Sequence, residues 1–334
     1  MPAVDPGRRD RQMKAIIQEG TGSPDVLHMR EIDKPIVTDD LVLVQVRAAS
    51  VNAADWHLVH GGLAVRAVVF LQRAPTFPIR GVDLAGIVEA VGGNVTLVQP
   101  GDEVFGTGRG TFAEYATARE DCLAPKPALM SFAEAAAIPV AGVTALQGLR
   151  DVAHAQPGQR VLIYGAGGGV GTFAVQIARA LGAHVTAVTS ARNLDLVRAL
   201  GPDEAIDYAQ EDVTRRGQRY DVVFDVAAVR SLADLWRIVE PGGALVMAGA
   251  AKSGTRGIVG RLAAAQLRSR FLGQRIVTYL GRVSQEDLIV LQELVEAGKL
   301  RPAIDRQYSL AEVPDAVRYL GSGQARAKVV INVG

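Results

Sequence analysis

One cysteine, Cys122, stands alone in 334 residues. A single thiol cannot close an internal disulfide or build a thiolate metal cluster, so a reducing, cytoplasmic setting is expected and Cys122 reads as a small filler residue. Charge of one sign is also missing. Lysine and arginine number 36, aspartate and glutamate 35, for a net charge of +1. That balance gives no pull toward nucleic acid or an anionic membrane as the main partner. No apolar run approaches the roughly 18 residues that span a bilayer. The first dozen residues, MPAVDPGRRDRQ, lack the apolar stretch of a secretory signal and are expected to be a disordered tail. Internal repeats and low-complexity segments are absent as well.

What is present suits a packed globular chain. The hydrophobic fraction is 49% and the charged fraction 21%, and the length favours roughly two domains. From Met13 to about Ala124 short β-like segments (MKAIIQ, LVLVQVRAASV, GIVEAVG, DEVFGT, FAEYATA) alternate with glycine and proline turns. At Ser131 the period changes. SFAEAAAIPVAGVTALQGLRDV reads as helix, with Ser131 and Glu134 forming a capping box. Strands and helices then alternate: RVLIYG, AHVTAVT, NLDLVRALG, EAIDY, YDVVFDVA, SLADLWRIV, GGALVMAGA and RIVTYLG. Such alternation predicts a parallel sheet covered on both faces. SQEDLIVLQELVEAGKL predicts an amphipathic helix from Ser284 to Gly298. The last strand, KVVINV, has no helix after it and is free to return to the first module.

Residues 158–182 carry the chemistry. VLIYG is a buried-type strand, AGGGVG a turn nearly without side chains, and TFAVQIARALG an apolar-faced helix. That order places main-chain N–H groups at the positive end of a helix dipole, where a pyrophosphate binds. In the G-x-G-x-x-G register the positions are Ala166, Gly168 and Gly171, so alanine replaces the first glycine. Gly167, Gly169 and Val170 complete the expected cradle. Hydride transfer from a nicotinamide coenzyme is the chemistry this implies. An acid about 20 residues beyond the glycines would select NADH. Here the second strand ends at Ser190, Ala191, Arg192, Asn193, and the first carboxylate is Asp195. A hydroxyl and a guanidinium suit the 2′-phosphate of NADPH; Ser190 as a helix cap and Arg192 as a solvated side chain is the alternative.

These residues resemble the medium-chain dehydrogenase/reductase superfamily, and within it the zinc-free quinone oxidoreductase branch. The branch signature is matched from Gly158 to Arg179, including Ala166, Gly167, Gly168, Gly169, Gly171, Gln176 and Arg179. VNAADWHLVHGG, RGVDLAGIVEAVG, GDEVFG and QARAKVVI look like further segments of that branch. The resemblance implies an α/β fold, with a doubly wound Rossmann sheet inserted into a GroES-like β-domain. The boundaries it suggests are 13–138 plus 300–334 for the GroES-like catalytic domain and 139–299 for the Rossmann domain.

The resemblance also implies roles. Asn52 lies beside the nicotinamide and the acceptor oxygen as a neutral donor; a turn residue bonding its own backbone is the alternative. Asp55 assists proton delivery or fixes its loop. Thr144, Tyr208 and Lys328 are expected near the coenzyme, together with Val226, Ala248 and Gly249, and Asp83 is expected to be structural. Zinc-containing relatives carry a cysteine where this chain has Asn52, and a Gly-His-Glu turn where it has Gly81, Val82 and Asp83, so no metal is expected. Asp55, His57 and His60 crowd together but lack a second cluster to complete a site.

The expected activity is NADPH-dependent reduction of a small quinone or α,β-unsaturated carbonyl by a homodimer, with the proton drawn from solvent. The alternatives are an enoyl-thioester reductase, a carbonyl reductase of the alcohol dehydrogenase type, and an NADPH-binding protein without turnover. A run of seven cations from Lys252 to Arg282 has no acid among them. It reads as a solvated helix face or as a recruiter of an anionic substrate. Residues 57–80 are expected to shape the acceptor pocket.

Overall fold

The computed structural model describes residues 11–61, 78–248 and 273–334. Gly249, the cations Lys252, Arg256, Arg261, Arg268 and Arg270, and most of the expected acceptor-pocket segment lie outside the described residues. So does nearly all of the expected N-terminal tail; Gln12 already belongs to a strand.

The chain begins with a two-stranded ribbon, β1 (Gln12–Gln18) against β2 (Leu27–Asp33). The long strand β3 (Leu41–Val51) follows, then α1 (Ala53–His60), β4 (Asp83–Val91), β5 (Glu103–Thr107), β6 (Tyr115–Arg119) and β7 (Leu123–Pro125). The Ser131 capping box forms: Ser131 Oγ accepts from Glu134 N–H at 3.3 Å and Glu134 Oε2 from Ser131 N–H at 3.0 Å. The helix expected beyond it breaks in two, α2 (Phe132–Ala136) and α3 (Pro139–Gln147), and ends in a wider turn over 148–152. Pro139 causes the break, since it has no N–H to carry the helical ladder onward.

The βα alternation then appears as β8 (Arg160–Tyr164), α4 (Gly169–Ala180), β9 (His184–Thr189), α5 (Leu194–Ala199), β10 (Glu204–Asp207), β11 (Tyr220–Asp225), α6 (Leu232–Arg237), β12 (Val239–Met247) and β13 (Arg275–Thr278). The amphipathic helix α7 (Gln285–Glu296), strand β14 (Ile304–Ser309), helix α8 (Val313–Gly321) and strand β15 (Lys328–Asn332) complete the chain.

Contacts divide the chain into two units. The first is Met1–Val140, Val283–Gln292 and Ile304–Gly334; the second is Ala141–Arg282 and Glu293–Ala303. Val283–Gln292 therefore goes with the first unit, where the thiol of Cys122 reaches the Val283 carbonyl at 3.9 Å. In the first unit the sheet order is β14-β15-β3-β4-β5-β7, with β6 on β3. The closing strand does return: β15 runs antiparallel to β3, with Val329 opposite Val51. Alternate residues of β3 (Val42, Val44, Val46) pack with Leu84, Val88, Val104 and the α8 residues Val313, Ala316 and Val317 in one core. The second unit is an all-parallel sheet in the order β10-β9-β8-β11-β12-β13. Leu162, Val188, Val223 and Leu245 share its core with Leu235 from α6.

Candidate active site

In the second unit the strand order reverses between β8 and β11, so the crevice beyond their C-terminal ends is where an open parallel sheet takes a ligand. The glycine turn occupies that place. The N–H groups of Gly165 and Ala166 both donate to the Val188 carbonyl at 3.0 Å, which pins the turn to β9. Gly165 has φ +93°, a conformation that favours glycine. Helix α4 makes its first bond from Thr172 N–H to the Gly168 carbonyl at 3.0 Å. The amides of Gly169, Val170 and Gly171 precede it and have no helical acceptor.

The glycines differ in what they leave room for. A Cβ on Gly171 would collide with the Gly165 carbonyl, and one on Gly167 with the Asn193 amide. Those two glycines serve close packing. A Cβ on Gly168 would meet only the Gly165 carbonyl oxygen, at 3.5 Å. Gly168 thus faces open space at the helix start, where a side chain would fill the approach to the three amides. Ala166 is fully buried. Asn193 is also buried, and its Oδ1 has no protein partner. A buried acceptor left in that state costs about 1–3 kcal/mol unless something else donates to it.

The neighbouring expected residues line the same edge. Ser190 precedes the short turn Ala191–Asn193, its side chain making no cap bond. Arg192 is exposed. Asp195 turns away to Arg198, 3.5 Å distant, with its side chain fully in solvent. Tyr208, 46% exposed, donates its N–H to the Thr189 carbonyl at 3.0 Å. Val226 donates to the Tyr164 carbonyl, and its side chain approaches Gly165. Ala248 donates to the Asp225 carbonyl at the end of β12. Thr144 sits on α3, its carbonyl accepting from the Tyr279 hydroxyl. The set fits a dinucleotide: amides for the diphosphate, an unfilled cradle at Gly168, and an exposed guanidinium beyond β9.

The first unit builds a second cluster, and strand register creates it. Ser50 on β3 lies directly opposite Asp83 on β4, and Val51 opposite Val329 on β15. The next residue, Asn52, therefore emerges beside both Asp83 and Lys328. Asp83 Oδ2 accepts from the Ser50 hydroxyl at 2.6 Å, from Asn52 Nδ2 at 2.9 Å and from Lys328 Nζ at 3.3 Å; its Oδ1 accepts from Val140 N–H at 3.0 Å. Lys328 Nζ also donates to Asn52 Oδ1 at 2.8 Å. Ser50, Asp83 and Lys328 are buried, while Asn52 keeps partial exposure.

Asp55, on the first turn of α1, accepts from the Asn52 main-chain N–H at 2.8 Å. It is 1% exposed, and its Oδ1 has no partner. Burial raises its pKa to about 6, with the Asp83 carboxylate adding to the rise and the Asn52 N–H and Lys328 opposing it. Asn52 is the N-cap of α1, its carbonyl accepting from Asp55 N–H at 3.0 Å, and the side chains of Asp55, Asp83 and Lys328 also hold it. The other two residues of the candidate metal trio are engaged locally. His60 stacks on Trp56 at 4.0 Å between ring centres and its Nδ1 lies 3.0 Å from the Trp56 carbonyl; His57 meets the same ring edge-on. Among the described residues no group of three potential ligands is placed to hold a metal.

Sequence reasoning named Asn52, Asp55 and Lys328, expected Asp83 to be structural, and did not name Ser50. Asp83 is the hub. The pairing of Asn52 with Lys328 spans 276 positions, and no local signal reports it.

Comparison with known proteins agrees with both halves. A family model described as alcohol dehydrogenase GroES-like domain matches residues 38–128, and one described as zinc-binding dehydrogenase matches residues 200–331. The chloroplastic quinone-oxidoreductase QR1 of Triphysaria versicolor is 33% identical over 96% of this chain and 98% of its own length. The NADPH-dependent alkenal/one oxidoreductase of Arabidopsis thaliana is 32% identical over 96% of this chain and 80% of its own. The quinone oxidoreductase structure from Coxiella burnetii superimposes with a TM-score of 0.84 at 30% identity, covering 97% of this chain and all of that one. The second model's description does not fit this donor set. Where zinc-containing relatives place cysteine and histidine, this chain has an amide and Val82, and an ammonium already neutralises Asp83.

Proposed function

This chain belongs to the quinone oxidoreductase branch of the medium-chain dehydrogenase/reductase superfamily, and on that premise we propose that it is an NADPH-dependent reductase of quinones or conjugated enones. It is an oxidoreductase that uses a nicotinamide coenzyme and acts on a small molecule. The observation that supports a bound coenzyme is the open cradle at Gly168 above three amides without helical acceptors, and Ser190 and Arg192 with no carboxylate before Asp195 favour NADPH.

The bound coenzyme supplies a hydride. Gly169, Val170 and Gly171 would hold its diphosphate through main-chain N–H groups, with Gly168 leaving the approach open and Gly167 and Ala166 keeping the turn tight enough to present them. Ser190 and Arg192 take the 2′-phosphate, since a guanidinium grips such a group through two N–H bonds. Asn193, Tyr208, Val226 and Ala248 border the same coenzyme, and Thr144 serves its nicotinamide end. On the first unit, Asn52 donates an amide N–H to the acceptor oxygen as negative charge builds there. Preorganised donors of this kind are worth about 10²–10³ in rate. Asp55 holds the Asn52 backbone and so fixes where that side chain starts. Protonation of the product comes from solvent. An acceptor that is easily reduced needs no Lewis acid, which is why quinones and enones rank above unactivated ketones.

The test follows absorbance at 340 nm with NADPH and, separately, a quinone, an enone and a crotonyl thioester. Oxidation with the quinone or the enone is the expected result. NADPH binding without oxidation of any kind would leave a binding protein in place of the enzyme, and activity confined to the thioester would reassign the acceptor.

A further inference from the structure

We propose that Lys328 and Asp83 act as positioning residues that set the polarity of the Asn52 amide, so that one of its Nδ2–H bonds always faces the acceptor. The inference rests on the reading of Asn52 as the acceptor's donor. An asparagine amide has two ends of nearly equal shape, and nothing in the residue itself decides which end points where. Here both ends are decided. Lys328 Nζ, 2.8 Å from Asn52 Oδ1, can only donate, and Asp83 Oδ2, 2.9 Å from Asn52 Nδ2, can only accept. Reversing the amide would set its NH2 against an ammonium and its oxygen against a carboxylate.

Both oxygens of Asp83 are engaged. Asp83 already takes the Ser50 hydroxyl and the Val140 N–H, and Ser50, Asp83 and Lys328 are sealed from solvent. Lys328 Nζ has a third hydrogen besides those on Asn52 Oδ1 and Asp83 Oδ2, but it is buried; Asn52 alone of the four is partly exposed, so the second hydrogen on its Nδ2 is the donor placed to face outward. The ammonium on Oδ1 also draws charge from the amide and strengthens that donor. The residue before Lys328 supports a built arrangement: Ala327 sits at φ +48°, a left-handed conformation unfavourable to alanine.

The experiment is a double-mutant cycle. Asp83→Asn with Lys328→Met removes both one-way partners without leaving a buried charge. The new amide at position 83 keeps its oxygen on the Val140 N–H and turns its NH2 toward Asn52, which reverses the Asn52 amide. We expect kcat for an enone, measured at saturating NADPH, to fall about 10²-fold. The same pair placed in an Asn52→Leu background is expected to cost less than about threefold more, because the group it positions is gone. Equal losses in both backgrounds, or an unchanged kcat in the Asn52 enzyme, would overturn the proposal. Should the double variant fold poorly, side-chain amide NMR of the parent enzyme takes its place. The parent must show one slowly and one rapidly exchanging Nδ2 proton on Asn52, and the rapid one must shift on adding enone. Two equivalent protons in the parent would sink the idea. The NMR reading also separates two failures. If the parent reduces no acceptor, the proposed function falls by itself, whereas the amide's polarity is still judged by its exchange.

Discussion

Lys328 Nζ lies 3.3 Å from Asp83 Oδ2 in a cluster where neither side chain is more than 3% exposed. Removing one member of such a pair leaves a buried charge without compensation, at a cost of about 3–5 kcal/mol. Lys328→Met is therefore expected to lose that much stability, and adding Asp83→Asn to recover most of it. Chemical denaturation of the two variants against the parent measures both numbers, and additive losses would refute the pairing.

The two glycines at the start of α4 are expected to fail in different ways. Gly171→Ala drives a methyl into the Gly165 carbonyl, so it should unfold or displace the turn and lower the melting temperature. Gly168→Ala meets nothing closer than 3.5 Å and should fold normally. Its methyl stands in the approach to the amides, so the NADPH Kd should rise about tenfold, equal to about 1.4 kcal/mol. Calorimetric titration of Gly168→Ala reads this directly; an unchanged Kd would move the diphosphate elsewhere.

Coenzyme choice should reside in Arg192. Charge-assisted hydrogen bonds contribute about 1.5–3 kcal/mol, so Arg192→Ala is expected to weaken NADPH by about 10- to 100-fold while leaving NADH within about twofold. The ratio of the two Kd values is the measurement. Parallel losses for both coenzymes would show that Arg192 does not read the 2′-phosphate.

Asp55 predicts a pH dependence of stability. Its folded pKa, about 6, exceeds the ordinary 3.8 because burial disfavours the charge. Between those values the folded chain holds a proton that the unfolded chain has released. Stability therefore falls as pH rises through that window, by about 3 kcal/mol for this group in all. Asp55→Asn keeps an acceptor for the Asn52 N–H and carries no charge. It should remove the slope and be the more stable protein at pH 8. Denaturation midpoints at pH 4, 6 and 8 compare the two; identical slopes would mean that Asp55 is solvated.

Local pattern alone sufficed for much of this protein. Buried valines and isoleucines flanking AGGGVG specify strand, turn and helix within 20 residues, because hydrophobic period and backbone freedom act at short range. The capping box at Ser131 and the stop at Gly298 are legible for the same reason. Strands β2, β7 and β14 escaped notice, since LHMREID and IDRQYS are mostly exposed or half-buried and carry no apolar alternation. The members of the hub around Asp83 were mostly named, but their meeting lay beyond reach. Ser50, Asn52, Asp83 and Lys328 come together through antiparallel register across β4, β3 and β15, and a shift of one residue would send the strand side chains to the opposite face of the sheet. Residue type told that these groups could donate or accept; only the packed sheet chose which of them would meet, and so which way a single amide points.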